Sequence, residues 1–181
     1  EILMIFSKNK IKGFFLIKPE PFKDKRGIFR RIFCQKEFKK NKINSEIKQA
    51  NISENRFKYT LRGFHFQTNP YSEDKTLTCI KGSIYDIIVD LRPSSKTYMQ
   101  WSSFKINENN RYSIHVPKGC ANAFLTLKSN TIVQYGSSQF YKPKHEKGIR
   151  FDDPVFKFKW PNKPKVISQK DLSHPNYILK K

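Results

Sequence analysis

The sequence predicts an all-β fold, a single antiparallel barrel or jelly roll, on three observations. Short runs of Val, Ile, Phe and Tyr recur along the chain, separated by turns rich in Gly, Pro, Asn and Lys. Aromatic residues make up 14% of it, with 16 Phe and 8 Tyr, and these favour strands and apolar interiors. A chain of 181 residues can bury a genuine core, and no linker, repeat or low-complexity tract divides it, so one domain over 1–181 is expected.

The elements follow in order. Gly13 to Lys18 reads as a strand, stopped by Pro19 and Pro21. Asp24 to Gly27 reads as a turn into a second strand, Ile28 to Phe33, and Gln35 to Asn41 as a short amphipathic helix at most. Lys48 to Ser53 alternates Gln49, Asn51 and Ser53 on one face with Ala50 and Ile52 on the other. That polar face suits a barrel lumen as well as solvent. Leu61 to Gln67 is a strand carrying Arg62, Gly63 and His65 between bulky aromatics. Strict alternation sends Arg62 and His65 to opposite faces; Gly63 between them can host a bulge that turns both inward, while a core strand with one satisfied histidine is the other reading of this heptad.

Thr76 to Leu91 is the strongest strand signal, broken into a hairpin by Lys81-Gly82. Its second arm, Ser83 to Leu91, is nearly continuous Ile, Tyr and Val, interrupted by Asp86 and Asp90. Trp101 to Ile106, Tyr112 to Val116, Ala123 to Lys128 and Thr131 to Tyr135 complete the series, with a tight turn at Pro117-Lys118-Gly119. From 143 to 181 an irregular closing segment is expected, with a helical turn near Ser168 to Leu172. Asp152-Asp153 reads as turn chemistry before Pro154, because adjacent residues on a strand point apart.

Composition narrows the function. The formal charge is +21, from 36 Lys plus Arg against 15 Asp plus Glu, which suits an anionic partner: nucleic acid, a membrane surface or a phosphorylated small molecule. The lysines are scattered without a run of five or six, so a diffusely solvated surface accounts for them equally well. Cys34, Cys79 and Cys120 share no Cys-x-x-Cys spacing, which argues against a disulfide framework and a structural zinc site and for a reduced, cytoplasmic setting. No apolar run approaches the roughly 18 residues that span a bilayer, and the basic residues of Glu1 to Lys10 follow its apolar stretch, unlike a secretory signal; a soluble protein without a membrane partner is expected.

The four histidines, His65, His115, His145 and His174, form no His-x-His pair, and neither Gly-x-Ser-x-Gly nor a phosphate loop occurs. What remains is acid–base work with no metal and no cofactor. The candidates are His65, Lys75, Tyr135 and carboxylates late in the chain.

These residues stand in an order that resembles the dTDP-4-dehydrorhamnose 3,5-epimerases, metal-free cupins acting on nucleotide-linked 4-keto sugars. The similarity runs from Gly13 to about Pro175. Asp24 to Gly27 resembles the family's Asp-x-Arg-Gly, Gln49 to Ser53 its Gln-x-Asn-x-Ser strand, and Leu61 to Gln67 its Leu-Arg-Gly-hydrophobic-His-aromatic-Gln. Lys75-Thr76-Leu77, Lys81 to Asp86 and Val89 to Arg92 are similar to the next stretches. Tyr135 and Tyr141 keep the six-residue separation, and Ile167 to Asp171 resembles Leu-Ser-x-x-Asp.

The resemblance implies a cupin-type jelly-roll barrel with a few short helices, a homodimer whose N-terminal strand crosses to the partner, and no cofactor. It also implies roles. A ketone at C4 acidifies the protons on C3 and C5, and an imidazole, with an ordinary pKa of about 6.5, is a suitable base. That base is then His65, oriented by Asp171, with Lys75 opposite the enolate oxygen and Tyr135 as the acid on the other face. Arg26 and Arg62 are implied to hold the diphosphate. Phe29, Gln49, Asn51, Asn122, Tyr141 and Glu146 are implied to complete the substrate site.

The chain departs from the pattern twice. Asn122 stands where the family's Pro-x-Gly-x-Ala-His-Gly-Phe carries histidine, and Arg31 where thymidine-specific members carry glutamate. Asparagine there also resembles epimerases of GDP-linked 4-keto heptoses for capsular polysaccharide, so dTDP-hexose and GDP-heptose substrates, and inversion at C3 alone or at C3 and C5, all stay open. A basic barrel stacking single-stranded nucleic acid is the remaining alternative; it requires exposed aromatics, whereas Phe64, Phe66, Tyr85 and Phe124 lie in apolar strand patterns.

Overall fold

The computed structural model describes residues 3–179. Nearly all of its regular structure is strand, arranged as two facing antiparallel sheets. The strands are β1 (Met4–Lys8), β2 (Phe15–Pro19), β3 (Phe22–Asp24), β4 (Gly27–Phe29), β5 (Gln49–Asn55), β6 (Leu61–Gln67) and β7 (Lys75–Lys81). They continue as β8 (Ser83–Asp90), β9 (Trp101–Asn107), β10 (Ser113–Val116), β11 (Cys120–Thr126), β12 (Thr131–Ser137) and β13 (Glu146–Gly148). Two short α-helices, α1 (Gln35–Lys40) and α2 (Gln169–Leu172), and a 3₁₀ turn at Pro143–His145 complete the described elements.

One sheet has the order β1-β2-β10-β7-β12-β5 and the other β13-β6-β11-β8-β9, with β3 and β4 forming a separate hairpin. This is a cupin-like jelly roll, the expected class. Its topology corrects one reading: β7 and β8 are not the arms of a hairpin. β7 pairs with β10 and β12, whereas β8 pairs with β9 and β11 in the opposite sheet. Gly82, at φ +82°, turns the corner between sheets, and a side chain there would run into Thr131. Pro117 to Gly119 likewise carries the chain from one sheet to the other rather than joining paired strands.

Smaller differences have local causes. The strand expected over Ile28 to Phe33 ends at Phe29, because Phe33 turns away to pack on Phe38 with ring centroids 4.9 Å apart. β11 begins at Cys120 rather than Ala123, since Cys120 and Ala121 already pair with Asp90 and Val89. The closing segment, expected to be irregular, contributes β13 to the edge of β6.

The core between the sheets joins Leu77, Cys79, Ile114 and Val133 to Ile84, Ile88, Ile106 and Phe124. A second cluster lies on the outer face of the five-stranded sheet, where Phe64, Ile87, Val89 and Ala121 are covered by Phe156, Phe158 and Trp160 of the closing segment. This double burial explains why β8 is almost continuously apolar instead of alternating. Burial holds the thiols of Cys79 and Cys120 up at about 12, and all three cysteines are unpaired. Among the described residues no helix is long and apolar enough to cross a membrane.

Candidate active site

Burying one end of the barrel in aliphatic side chains leaves the other end to the polar faces of its strands. Here β5 points Gln49, Asn51 and Ser53 inward, half-buried, and leaves Ile52 outward at 67% exposure. Two adjoining cavities of about 350 and 380 Å³ open there, a size suited to a small ligand. His65, Lys75, Tyr135, Tyr141 and Glu146 line both.

The register of β6 decides whether Arg62 and His65 share this space. Asn122 faces His65 across the ladder and Phe124 faces Arg62, so three steps along β6 match two along β11. That is the expected bulge, and it turns both side chains into one cavity. Gly63 sits in the bulge at φ +104°, and a Cβ there would stand 2.6 Å from the Asn122 carbonyl oxygen. Only glycine fits.

Asp171 reaches His65 from 106 residues away in sequence. An isolated parallel bridge between Thr60 and Val166, with the Leu61 N–H donating to the Val166 carbonyl at 2.9 Å, ties the closing segment to the start of β6. Ser168 then caps α2, its Oγ accepting the Asp171 N–H at 3.1 Å. The Asp171 Oδ1 lies 2.6 Å from His65 Nε2, and Oδ2 accepts the Gly63 N–H at 3.3 Å. The Asp171 side chain is 5% exposed and that of His65 32%. Burial alone pushes Asp171 up, but the His65 hydrogen bond and charge, with the Gly63 and Ser168 contacts, hold it below the usual carboxylate range. An ionised Asp171 takes the Nε2–H of a neutral ring, which leaves Nδ1 with the lone pair.

Opposite, on the six-stranded sheet, Lys75 Nζ pairs with Glu73 at 3.0 Å, and Ser137 donates to the same carboxylate. Burial, with the Glu73 charge, raises the Tyr135 phenol, so it is protonated at neutral pH. Tyr141 donates to Glu146 at 2.6 Å, and Lys170 pairs with Glu146 as well. Burial pushes Glu146 up, but these two partners and the nearby His65 bring it net below its ordinary value. Arg62 Nε donates to Asn55 Oδ1 at 2.7 Å, which aims the guanidinium.

Of the residues singled out from sequence, His65, Lys75, Tyr135, Gln49, Asn51, Arg62, Asn122, Tyr141 and Glu146 line the two cavities, and Asp171 stands behind His65. Arg26 and Phe29 do not join them. Both lie on the exposed β3–β4 hairpin, with the Arg26 side chain 81% exposed and paired to Asp24, and Phe29 64% exposed. Asp152 and Asp153 act locally, the first on Arg150 and the second on the backbone of Val155 and Tyr177.

Sequence reasoning missed Asp86, Glu73 and Lys170 as neighbours of this cavity. Asp86 is fully buried; Asn122 Nδ2 donates to its Oδ2 at 3.0 Å, while its Oδ1 has no partner. Burial raises its carboxyl well above the ordinary range, more than Asn122 and the Lys75 charge lower it. The signal was an acid interrupting an apolar strand.

The arrangement is that of an acid–base enzyme on a jelly roll, and comparison with known proteins specifies which. Residues 8–178 match the family model described as dTDP-4-dehydrorhamnose 3,5-epimerase. The dTDP-4-dehydrorhamnose 3,5-epimerase of Sinorhizobium fredii is 36% identical over 174 residues, covering 96% of this chain and 89% of its own. The crystal structure of a Bacillus anthracis dTDP-4-dehydrorhamnose 3,5-epimerase with TDP and PPi bound superposes at a TM-score of 0.94 with 32% identity, covering 97% of this chain and 100% of that one. A Legionella pneumophila dTDP-6-deoxy-D-glucose-3,5-epimerase in complex with dTDP-4-keto-L-rhamnose superposes at 0.89 with 27% identity, over 98% and 100% of the two chains. The chain belongs to the dTDP-4-dehydrorhamnose 3,5-epimerase family, and so to the epimerases among the isomerases. The GDP-linked heptose and nucleic-acid readings are not favoured; Phe64 and Phe124 are buried at 0% and 5% exposure, not offered for base stacking.

Proposed function

We propose that this protein is a 3,5-epimerase of a dTDP-linked 4-keto-6-deoxyhexose and uses His65 as base and Tyr135 as acid. One observation carries the reading. His65 stands on the five-stranded sheet and Tyr135 on the six-stranded sheet, across one cavity, so they address opposite faces of a ring held between them. Inversion requires this: a proton leaves from one face and another arrives at the other.

In the reaction, Nδ1 of His65 takes the proton from carbon beside the C4 ketone, and Asp171 stabilises the imidazolium through Nε2. The electron pair moves onto the ketone oxygen as an enolate, and the Lys75 ammonium offsets that charge. Tyr135 delivers its proton to the opposite face of the carbanion; once His65 has passed its proton to solvent and Tyr135 has regained one from it, the cycle repeats at the second carbon. Arg62 engages the diphosphate; Gln49, Asn51, Asn122, Tyr141 and Glu146 position the sugar and base. Asn122 accepts or donates hydrogen bonds but carries no proton.

The whole chain acts as one epimerase unit in this reading, and two copies form a homodimer. Support for the dimer is that Arg26 and Phe29 sit on an exposed hairpin away from their own cavity, beside exposed Phe22 and Ile28. A partner's cavity would use them. The free cysteines suit a reducing cytoplasm, and the product would supply deoxysugar units for surface polysaccharide.

The test is deuterium uptake in heavy water. A dTDP-linked 4-keto-6-deoxyglucose should gain deuterium at C3 and C5 with the wild type. His65→Ala should lose exchange at both carbons while still binding dTDP. Exchange unchanged in His65→Ala refutes the base assignment, and no exchange in the wild type refutes the epimerase.

A further inference from the structure

His174 lies beside the His65–Asp171 pair, and the reaction has no use for it. Among the described residues, His65, Asp171 and His174 are the one group of His, Cys, Asp and Glu side chains whose ligand atoms all lie within 4.8 Å of one another. Three observations give the third member a purpose. The His174 Nε2 is buried without a hydrogen-bond partner, a state that costs free energy unless something uses the nitrogen. Its seat is cut for a ring: Gly148 faces His65 across the β13–β6 ladder, and a Cβ at 148 would collide with the His174 imidazole. The backbone at 148 is outside the left-handed region, so it is the ring, not φ, that a side chain there would displace. Finally, two imidazoles and a carboxylate suit a borderline divalent ion.

We propose that His65, Asp171 and His174 bind one divalent ion of the Zn²⁺ type reversibly, and that its binding switches the epimerase off. Ligands on one tetrahedral ion at about 2.1 Å stand roughly 3.4 Å apart. Binding therefore requires the 2.6 Å contact between His65 and Asp171 to open slightly, and ligand atoms now up to 4.8 Å apart to close to that spacing. The inhibition follows from proton placement. In the free pair, Nε2 of His65 carries the proton and Nδ1 the lone pair. An ion on Nε2 requires the proton to move, through solvent, to Nδ1. The ring stays neutral, no net proton is released and nothing is oxidised, but the lone pair that attacks carbon is gone. The inhibitory half rests on His65 being the base; the binding half does not.

The test titrates purified, metal-free protein with Zn²⁺ alone by calorimetry and with Co²⁺ by visible absorption, in wild type, His174→Ala and His174→Gln. Imidazole ¹⁵N resonances follow the His65 tautomer in the wild type, which needs no variant. One ion per chain should bind, His65 should exchange Nε2–H for Nδ1–H, and deuterium uptake should stop and return with chelator. Both variants should bind the ion at least roughly tenfold more weakly, since loss of even an outer-shell partner costs that much. Their metal-free deuterium uptake should persist. No binding, an isotherm unchanged in both variants, or His65 resonances that do not move would overturn the site. A metal-free wild type without uptake would instead sink the epimerase reading and the inhibition with it, while the isotherm still judges the site.

Discussion

Replacing Asp171 by Asn keeps the shape beside His65 and removes the charge, so it isolates what the carboxylate does. In the proposed reaction His65 takes a proton from carbon and becomes an imidazolium whose Nε2 lies 2.6 Å from Asp171 Oδ1. The ring charge is delocalised, so the charge centres stand about 4 Å apart, which is worth about 4 kcal/mol at an effective dielectric of about 20. The ring is about one-third exposed, and solvent screening lowers this to about 3 kcal/mol. At about 1.4 kcal/mol per decade, Asp171→Asn should lower kcat by two to three orders of magnitude. Because Asp171 sits below the usual carboxylate range, it is ionised throughout the neutral region, and the deficit should be constant there. Initial rates of deuterium uptake, with dTDP affinity by calorimetry, separate the two parameters: kcat should fall while nucleotide binding holds. A loss under about tenfold, or one residing in KM, would refute the coupling of this carboxylate to the proton transfer.

Gly63→Ala should destabilise the fold by about 3 kcal/mol in chemical denaturation, from a positive φ and a Cβ pressed against the backbone of Asn122 and Ala123; a cost under about 1 kcal/mol would mean the bulge relaxes freely. Asp86→Asn should raise the melting temperature at neutral pH. Its folded carboxyl titrates well above its unfolded value, so the folded state binds the extra proton and stability falls as pH rises above the ordinary carboxylate pKa of about 3.9. Below that pH both states are protonated and the gain should vanish; a melting temperature lowered at neutral pH would show instead that Asp86 is ionised against Lys75.

Much of the site was legible because its chemistry is carried by residue types in a fixed order. Alternation placed Gln49 and Asn51 on one face of β5 whatever that face met. Gly63 between Arg62 and His65 allowed a bulge, and the positive φ and close backbone contacts found there show why glycine occupies it. Other features were illegible for equally definite reasons. Lys81-Gly82 has the same local form whether it closes a hairpin or turns a corner between sheets, and only the partners of β7 and β8 tell these apart. Asp86 was visible as an interruption, but its neutral state depends on burial that only packing produces. His174 looked isolated because its neighbours are a glycine of β13 and a histidine of β6, met only through the path of the closing segment.

The amino-acid order by itself determined the all-β class and the strand periods, because these depend on neighbours within a few residues, and it named the candidate site residues through their ordered resemblance to a family. Tertiary structure decided which charges are real and which groups meet. Asp171 comes within 2.6 Å of His65 across 106 residues, held by the Thr60–Val166 bridge and the Ser168 cap. Tyr135 faces the same cavity from the other sheet. The physical reason is range: steric and propensity terms act along the chain, whereas desolvation and Coulomb terms act through space and exist only once the sheets have closed on each other.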